Sequence, residues 1–363
     1  MQSELVSVMM PAYNAQAYIG QAIESVLAQD YRNWELIIVD DGSTDGTAGI
    51  MAQYSDPRIR CVHQANAGEA AARNRALQEM QGEFLAFLDA DDFFLPEHLQ
   101  TTVRYLQAHP AYGGVYTDGY YCNEQSVPLQ TLASRRIGPF EGRVFDAVVR
   151  ASCLFGPPVC VVLRTAPIIQ QQLAFDPTIT IGPDWDFLIR YTDIADFGYL
   201  EQQSCLYRLH QSNITRQINL QKRALDLARC RSKAVQMPSF QHCSVETRTA
   251  VFYDLLIKLL HGLPEQQVAI SHWPAFKALP IREQARLLRL MASKALLTGE
   301  SPAFIAEWLQ RSRALNPTDK RGALVATLYA LNPSLCRLVL RLKGFNQPDP
   351  QLALPFADMQ LSI

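Results

Sequence analysis

Hydrophobic and polar positions alternate along the first ninety residues in a way that predicts strands and helices in strict succession. Residues 5–10 form a short, mainly apolar run stopped by Pro11, which predicts a buried strand ending in a turn. Ile19, Ala22, Ile23, Val26 and Leu27 then fall at i, i+3, i+4, i+7 and i+8, one apolar face of a helix. Residues 36–39 predict a second strand closed by Asp40-Asp41-Gly42-Ser43, followed by a helix to about residue 54. A third strand is expected over 59–63, a helix over 69–80 with Gly82 at its C′ position, and a fourth strand over 84–88. Alternating βα units with continuously apolar strands predict an α/β fold with a mostly parallel central sheet flanked by helices.

After about residue 113 the pattern loosens. Strands are expected over 115–121 and 159–163, with a loop-rich insertion around 123–143 between them. A helix starts near Asp184, and 197–210 returns as an extended segment. Beyond residue 213, Leu/Ala/Arg-rich helical patterns run to about 343, punctuated by Pro264, Pro274, Pro280, Pro302, Pro317 and Pro333. These shifts divide the chain into residues 1–220, with halves at 1–112 and 113–220, and a helical C-terminal region, 221–363.

Composition narrows the classes. At 363 residues, 48% hydrophobic and 19% charged, the chain can bury a core without staples and is not disordered. The formal charge of −2 gives no global attraction for nucleic acid. It conceals a split, because residues 282–343 carry +7 and residues 1–281 carry −7. The start, MQSELVSVMMPAYN, lacks a basic n-region and a long apolar core, and no run reaches about 18 apolar residues, so neither a signal peptide nor a spanning helix is expected. Eight cysteines, Cys153 among them, are scattered with no C-x-x-C pair, which fits reduced, mostly buried thiols and a cytoplasmic location.

Open parallel sheets bind ligands at the carboxyl ends of their strands. Three clusters fall there: Pro11-Ala12-Tyr13-Asn14, Asp40-Asp41 and Asp89-Ala90-Asp91-Asp92. In the last, alternation places Asp89 and Asp91 on one side, where both can reach a hard cation such as Mg2+ or Mn2+ completed by substrate phosphates. An Asp-rich turn capping a helix near Pro96 is the competing reading. Asp40 and Asp41 are either a turn with an N-cap or include a carboxylate that accepts the imide N–H of a pyrimidine base. Arg73 follows three alanines and is expected to face a cleft, whereas Arg75 fits a solvated helix face. Asp184 opens a helix beside Trp185, either as a first-turn acid favoured by the helix dipole or as a general base against an aromatic wall on the acceptor side. His210 is either a surface histidine or a group near the metal and diphosphate.

Together the segments VSVMMPAYNAQAYI, ELIIVDDGSTDGT, NAGEAAARNRAL, GEFLAFLDADDFFLP, GPDWDFLIR and LYRLHQSNIT resemble the inverting family 2 glycosyltransferases of GT-A fold, over about residues 5–215. The resemblance implies a nucleotide-diphospho-sugar donor, a divalent cation (Mg2+ or Mn2+) and single displacement with inversion at the anomeric carbon. It implies that Pro11, Ala12 and Tyr13 line the nucleoside pocket and that Asp41 reads the base, which points to a UDP-linked donor. By the same resemblance Arg73 would lie near base and phosphates, and Asp89-Ala90-Asp91 would be the D-x-D motif, with Asp91 expected as the direct metal ligand. The resemblance further implies that Asp184 deprotonates the acceptor hydroxyl and that His210 is near the diphosphate or the metal, as a candidate metal ligand. The family's Glu-Asp pair appears here as Pro183-Asp184, a departure that bears on acceptor positioning. A glycan or lipid-linked acceptor in cell-surface polysaccharide, lipopolysaccharide or glycolipid synthesis follows from the same resemblance.

Two rivals differ in class. A dinucleotide-dependent dehydrogenase would need G-x-G-x-x-G where Pro11-Ala12-Tyr13-Asn14 stands. A non-catalytic or degenerate sugar-nucleotide-binding protein would not need Asp89, Asp91 and Asp184 together. The basic C-terminal helices either pack on the catalytic part or rest peripherally on the inner membrane face through Leu335, Leu338, Val339, Leu340 and Leu342, interleaved with Arg337, Arg341 and Lys343.

Overall fold

The computed structural model describes residues 4–152, 154–211, 213, 219–344 and 352. Cys153, part of the 206–215 segment and nearly all of the tail after residue 344 lie outside the described residues. The chain divides between residues 218 and 219 into two units.

The first unit is built on a nine-stranded sheet in the order β3-β2-β1-β4-β8-β6-β9-β5, with β7 pairing on β6. Its parallel part joins β3 (Ile59–His63), β2 (Trp34–Asp40), β1 (Val6–Ala12) and β4 (Phe84–Phe87). β1, β2 and β4 are buried along almost their whole length, which is why their sequences are apolar runs rather than alternating ones. Helices α1 (Ile19–Leu27), α2 (Thr47–Met51) and α3 (Glu69–Glu79) make the crossovers. Antiparallel β8 (Val161–Arg164) then sits between β4 and β6 (Tyr112–Cys122), and β9 (Asp196–Arg208) runs parallel to β6.

Two strands were not foreshadowed by the hydrophobic pattern. β5 is only Phe93–Phe94 and pairs with Leu206 and Cys205 of β9. β7, Pro128–Thr131, lies in the segment expected to be loop, and its largely exposed residues and leading proline give it no strand-like pattern. Gly82 also differs from expectation. It does not end α3 in a left-handed turn; instead a Cβ there would stand 2.6 Å from the Leu5 carbonyl oxygen and 2.7 Å from the Ser7 nitrogen. Glycine is needed for the close approach of this segment to β1.

Further helices of the first unit are α4 (His98–Ala108), α5 (Phe145–Arg150), α6 (Thr165–Gln170) and α7 (Pro183–Ile194). No side chain caps the start of α4, so the acidic turn at 89–92 is not its N-cap.

The second unit is helical. Pro264, Pro274, Pro302 and Pro333 each occupy the first position of a helix, where the missing N–H costs nothing. Its core includes Phe240, Phe252, Phe276, Leu287, Leu288, Met291 and Trp308. Among the described residues no helix is long and apolar enough to cross a membrane.

Candidate functional site

The register of the parallel strands decides where the acids meet. Ala12 at the end of β1 is paired with Asp40 at the end of β2, and Met9 with Phe87 of β4. The Leu88 N–H donates to the Met9 carbonyl at 3.0 Å, so Asp89 emerges beside the end of β1. All three clusters therefore leave the carboxyl ends of adjacent strands. Pairing of β5 with β9 then folds the turn 89–92 against the end of β9, which delivers Arg208 and His210 to it.

Arg208 is one of the groups that compensate the acidic turn. Fully buried, it donates its backbone N–H to Asp92 Oδ1 (2.9 Å) and its Nε to the Asp91 carbonyl (2.8 Å). Its remaining guanidinium nitrogens donate to Gln21 Oε1, Ser126 Oγ and the Glu124 carbonyl, and it stacks over Tyr18. The fixed guanidinium fork lets one residue brace the acidic turn and the 123–126 loop together. Asp92 Oδ2 is buried with no hydrogen-bond partner among the described residues, and burial together with Asp91 and Asp89 holds its carboxyl well above the usual range. Asp92 is thus a structural acid, while Asp89 and Asp91 keep about a quarter of their side-chain surface open.

Arg73 closes the other side. Its Nη2 donates to Asp89 Oδ1 at 2.8 Å, and its Nη1 lies 2.7 Å from Glu69 Oε1 one helical turn back. Arg75, by contrast, is half exposed and pairs with Glu79. Beneath Arg73 lies Phe175, stacked 4.3 Å from Phe187 of α7 and edge-on to Phe87 of β4. Asn74 clamps the Phe175 backbone with two hydrogen bonds, 2.9 and 2.7 Å, so the segment preceding α7 is fixed to α3. That brings Asp184, in the first turn of α7, into the same electrostatic field. It raises the carboxyls of Glu69 and Asp89 and adds to the charge holding Arg73 protonated. Burial is the first cause for Glu69, whose carboxyl is pushed up to about 7 against the opposing pull of Arg73.

Asp184 has no hydrogen-bond partner among the described residues and makes no capping bond. Asp186 is buried and paired with Arg190 at 2.7 Å, so it is spoken for. Pro183 stands at the first helical position after Gly182, whose left-handed φ of 75° sets the turn. Proline there helps start the helix in place of an acid. Trp185 departs from the expected acceptor wall. It is 4% exposed, and its indole N–H donates to the Val148 carbonyl at 2.9 Å, so it packs α7 on α5.

At the carboxyl end of β1, Tyr13 is half exposed just beyond the strand, and Pro11 and Ala12 lie in the strand end. Asp40 takes the turn role: it accepts from the Ser43 N–H and faces His63 Nδ1 at 3.0 Å. Asp41 accepts from Gln64 Nε2 and from the Ala67 and Gly68 N–H groups. It fixes the loop leading into α3, and of its lone pairs one on Oδ2 remains for a further donor. His210 is buried, with Nε2 2.8 Å from Asp91 Oδ2 and its ring against Tyr18.

Residues 7–165 match the profile of glycosyl transferase family 2. The matched segment makes up most of the N-terminal unit. Curated proteins similar to this chain include the putative colanic acid biosynthesis glycosyl transferase WcaA of Escherichia coli, 40% identical over 39% of this chain and 52% of that one. The UDP-Glc:alpha-D-GlcNAc-diphosphoundecaprenol beta-1,3-glucosyltransferase WfgD of Escherichia coli is 44% identical over 28% of this chain and 41% of its own. The chain spans about a third to a half of the length of such relatives. S. aureus TarS in complex with UDP-GlcNAc shares the fold, with a TM-score of 0.54 at 16% identity over 88% of this chain and 92% of that one.

Glu69, Arg208 and Asn74 were not singled out from the sequence. Glu69 carried a usable signal, its i, i+4 spacing from Arg73. Arg208 and Asn74 act through backbone carbonyls and distant loops, which leave no local pattern.

Among the described residues no group of three or more His, Cys, Asp or Glu forms a ready-made metal cage. Asp89 and Asp91, two partly open carboxylates flanked by Arg73 and His210, fit an ion that keeps few protein ligands and is completed by phosphate oxygens.

Proposed function

We propose that this protein is an inverting glycosyltransferase that moves a sugar from a UDP-linked donor to a hydroxyl on a glycan or lipid-linked acceptor in cell-surface polysaccharide synthesis. The observation that carries the reading is the placement of Asp184: an unengaged carboxylate at a helix start, sharing the field of Arg73, Asp89 and Glu69. The relatives WfgD and WcaA support the acceptor class.

Asp184 takes the proton of the acceptor hydroxyl as its oxygen bonds to the anomeric carbon. The bond from that carbon to the diphosphate oxygen breaks, and the nucleoside diphosphate leaves with the electron pair. General-base help of this kind is worth on the order of 10²–10⁴-fold. A divalent cation held by Asp91 and Asp89 would supply Lewis-acid stabilisation of the leaving diphosphate. Arg73 keeps Asp89 oriented and lends positive charge to the phosphate side. Asp41 holds the loop bordering the base and offers its remaining lone pair to a pyrimidine imide N–H.

A panel of nucleotide-sugars, with and without Mg2+ or Mn2+, tests this by release of the nucleoside diphosphate and by thermal stabilisation. Metal-dependent response to uridine or thymidine donors is expected. Response to guanosine donors alone would overturn the donor assignment, and donor binding without turnover for any acceptor would favour a degenerate binding protein.

A further inference from the structure

Within the second unit, helices Lys320–Leu331 and Pro333–Leu342 form a hairpin whose outer surface is unusual in two independent ways. First, it is apolar where it should not be. Leu335, Leu338 and Leu342, spaced i, i+3 and i+7, are 46, 53 and 78% exposed, and Leu331 at the hairpin's bend is 77% exposed. The inward side of the second helix is carried by Cys336 and Leu340, both buried, with the Cys336 thiol on the Val325 carbonyl. At 100° per residue the three leucines point roughly opposite those two, so half or more of the Leu338 and Leu342 surface and nearly half of Leu335's is left facing outward. Second, residues 320–344 contain Lys320, Arg321, Arg337, Arg341 and Lys343 and not one Asp or Glu. Arg341 and Lys343 flank the leucine row, while Arg337 donates its Nε to the Leu296 carbonyl at the hairpin's base.

We propose that this hairpin is a docking face for an anionic lipid bilayer, with Leu335, Leu338 and Leu342 entering the acyl boundary and Arg341 and Lys343 meeting lipid phosphates. A leucine stripe with basic flanks is the composition of an interfacial helix, where apolar burial and attraction to anionic lipid add. A second copy of the chain is disfavoured as occupant, because a two-fold contact would set two acid-free basic faces against each other. A nucleic acid would use the charges and leave the leucines in water. The proposal does not rest on the transferase reading.

Co-sedimentation of the full chain with phosphatidylcholine vesicles, with and without phosphatidylglycerol, tests it. Binding is expected only with phosphatidylglycerol and should weaken as salt is raised. The triple variant Leu335→Ser, Leu338→Ser, Leu342→Ser should bind at least roughly tenfold more weakly, and Arg341→Glu with Lys343→Glu should lose most of the salt-dependent part. Ile281→Ser, exposed elsewhere in the unit, should bind as the parent does. The melting temperature and helix content of the triple variant, measured beside its vesicle binding, separate loss of binding from loss of fold, and the Arg341→Glu, Lys343→Glu variant gives a second reading that leaves the leucines in place. Equal vesicle binding by parent and triple variant, or no binding by the parent, overturns the proposal. A change in oligomeric state of the triple variant in the absence of lipid also overturns it, by showing a second copy on this face.

Discussion

His210 Nε2 and Asp91 Oδ2 stand 2.8 Å apart although 119 residues separate them in sequence. The contact leaves Asp91 Oδ1 without a hydrogen bond among the described residues, so the histidine orients the carboxylate and frees its other oxygen. Groups that orient a metal-ligating carboxylate typically contribute 10- to 100-fold in metal affinity. His210→Ala should therefore raise the Mn2+ concentration needed for half-maximal activity by that factor, with activity recovering in excess metal. Isothermal titration of Mn2+ in the presence of donor nucleotide checks it. Unchanged metal affinity with a depressed kcat would place the histidine on the diphosphate instead.

Glu69 makes a prediction about pH. Its carboxyl, raised by burial and by Asp89, Asp184 and Asp91 from 4.5 to about 7, holds a proton in the folded protein that the unfolded chain has released. Between those values the folded state binds more protons, so stability falls as pH rises through this window, by at most about 3 kcal/mol. Glu69→Gln should flatten that part of the curve in metal-free buffer. Urea unfolding at about pH 5 and about pH 7.5 measures the difference. Equal slopes in parent and variant would mean that another group carries the proton.

Most of the parallel sheet was legible because its strands are buried on both faces and so read as unbroken apolar runs, as in Ile37-Ile38-Val39. The acidic turn was legible because Asp89 and Asp91 sit directly after such a run. What brings His210 onto Asp91 was not, since β5 is a two-residue strand too short to have a period. Trp185 misled because an aromatic beside a candidate base suits a pocket wall as well as a helix contact, and only the Val148 carbonyl decides between them. Gly82 misled for a similar reason: a glycine after a helix fits a C-cap, and the crowding that requires it comes from β1, seventy-five residues earlier.

Gly82→Ala should accordingly destabilise the protein through β1, not through α3. The added carbon would meet the Leu5 oxygen and the Ser7 nitrogen and hydroxyl at 2.6–2.8 Å, where backbone cannot yield cheaply. A loss of about 1–3 kcal/mol or more is expected, seen as a lower urea midpoint at unchanged m-value. A neutral or stabilising effect, as expected of an exposed helix end, would show that the strand relaxes around the methyl group.

Asp184→Asn, compared with Asp186→Asn for donor affinity and for kcat with a responsive acceptor, tests the proposed chemistry most directly. A base acts on the acceptor proton in the transition state and not on the bound donor. Nucleotide-sugar affinity in Asp184→Asn should stay near that of the parent while kcat drops by about 10²–10⁴-fold. Asp186→Asn should lose stability through its Arg190 pair and retain kcat. Near-normal kcat in Asp184→Asn with a large loss in Asp186→Asn would contradict the assignment of the base. Collapse of donor affinity in Asp184→Asn would contradict it too, by making the residue a support of the donor site.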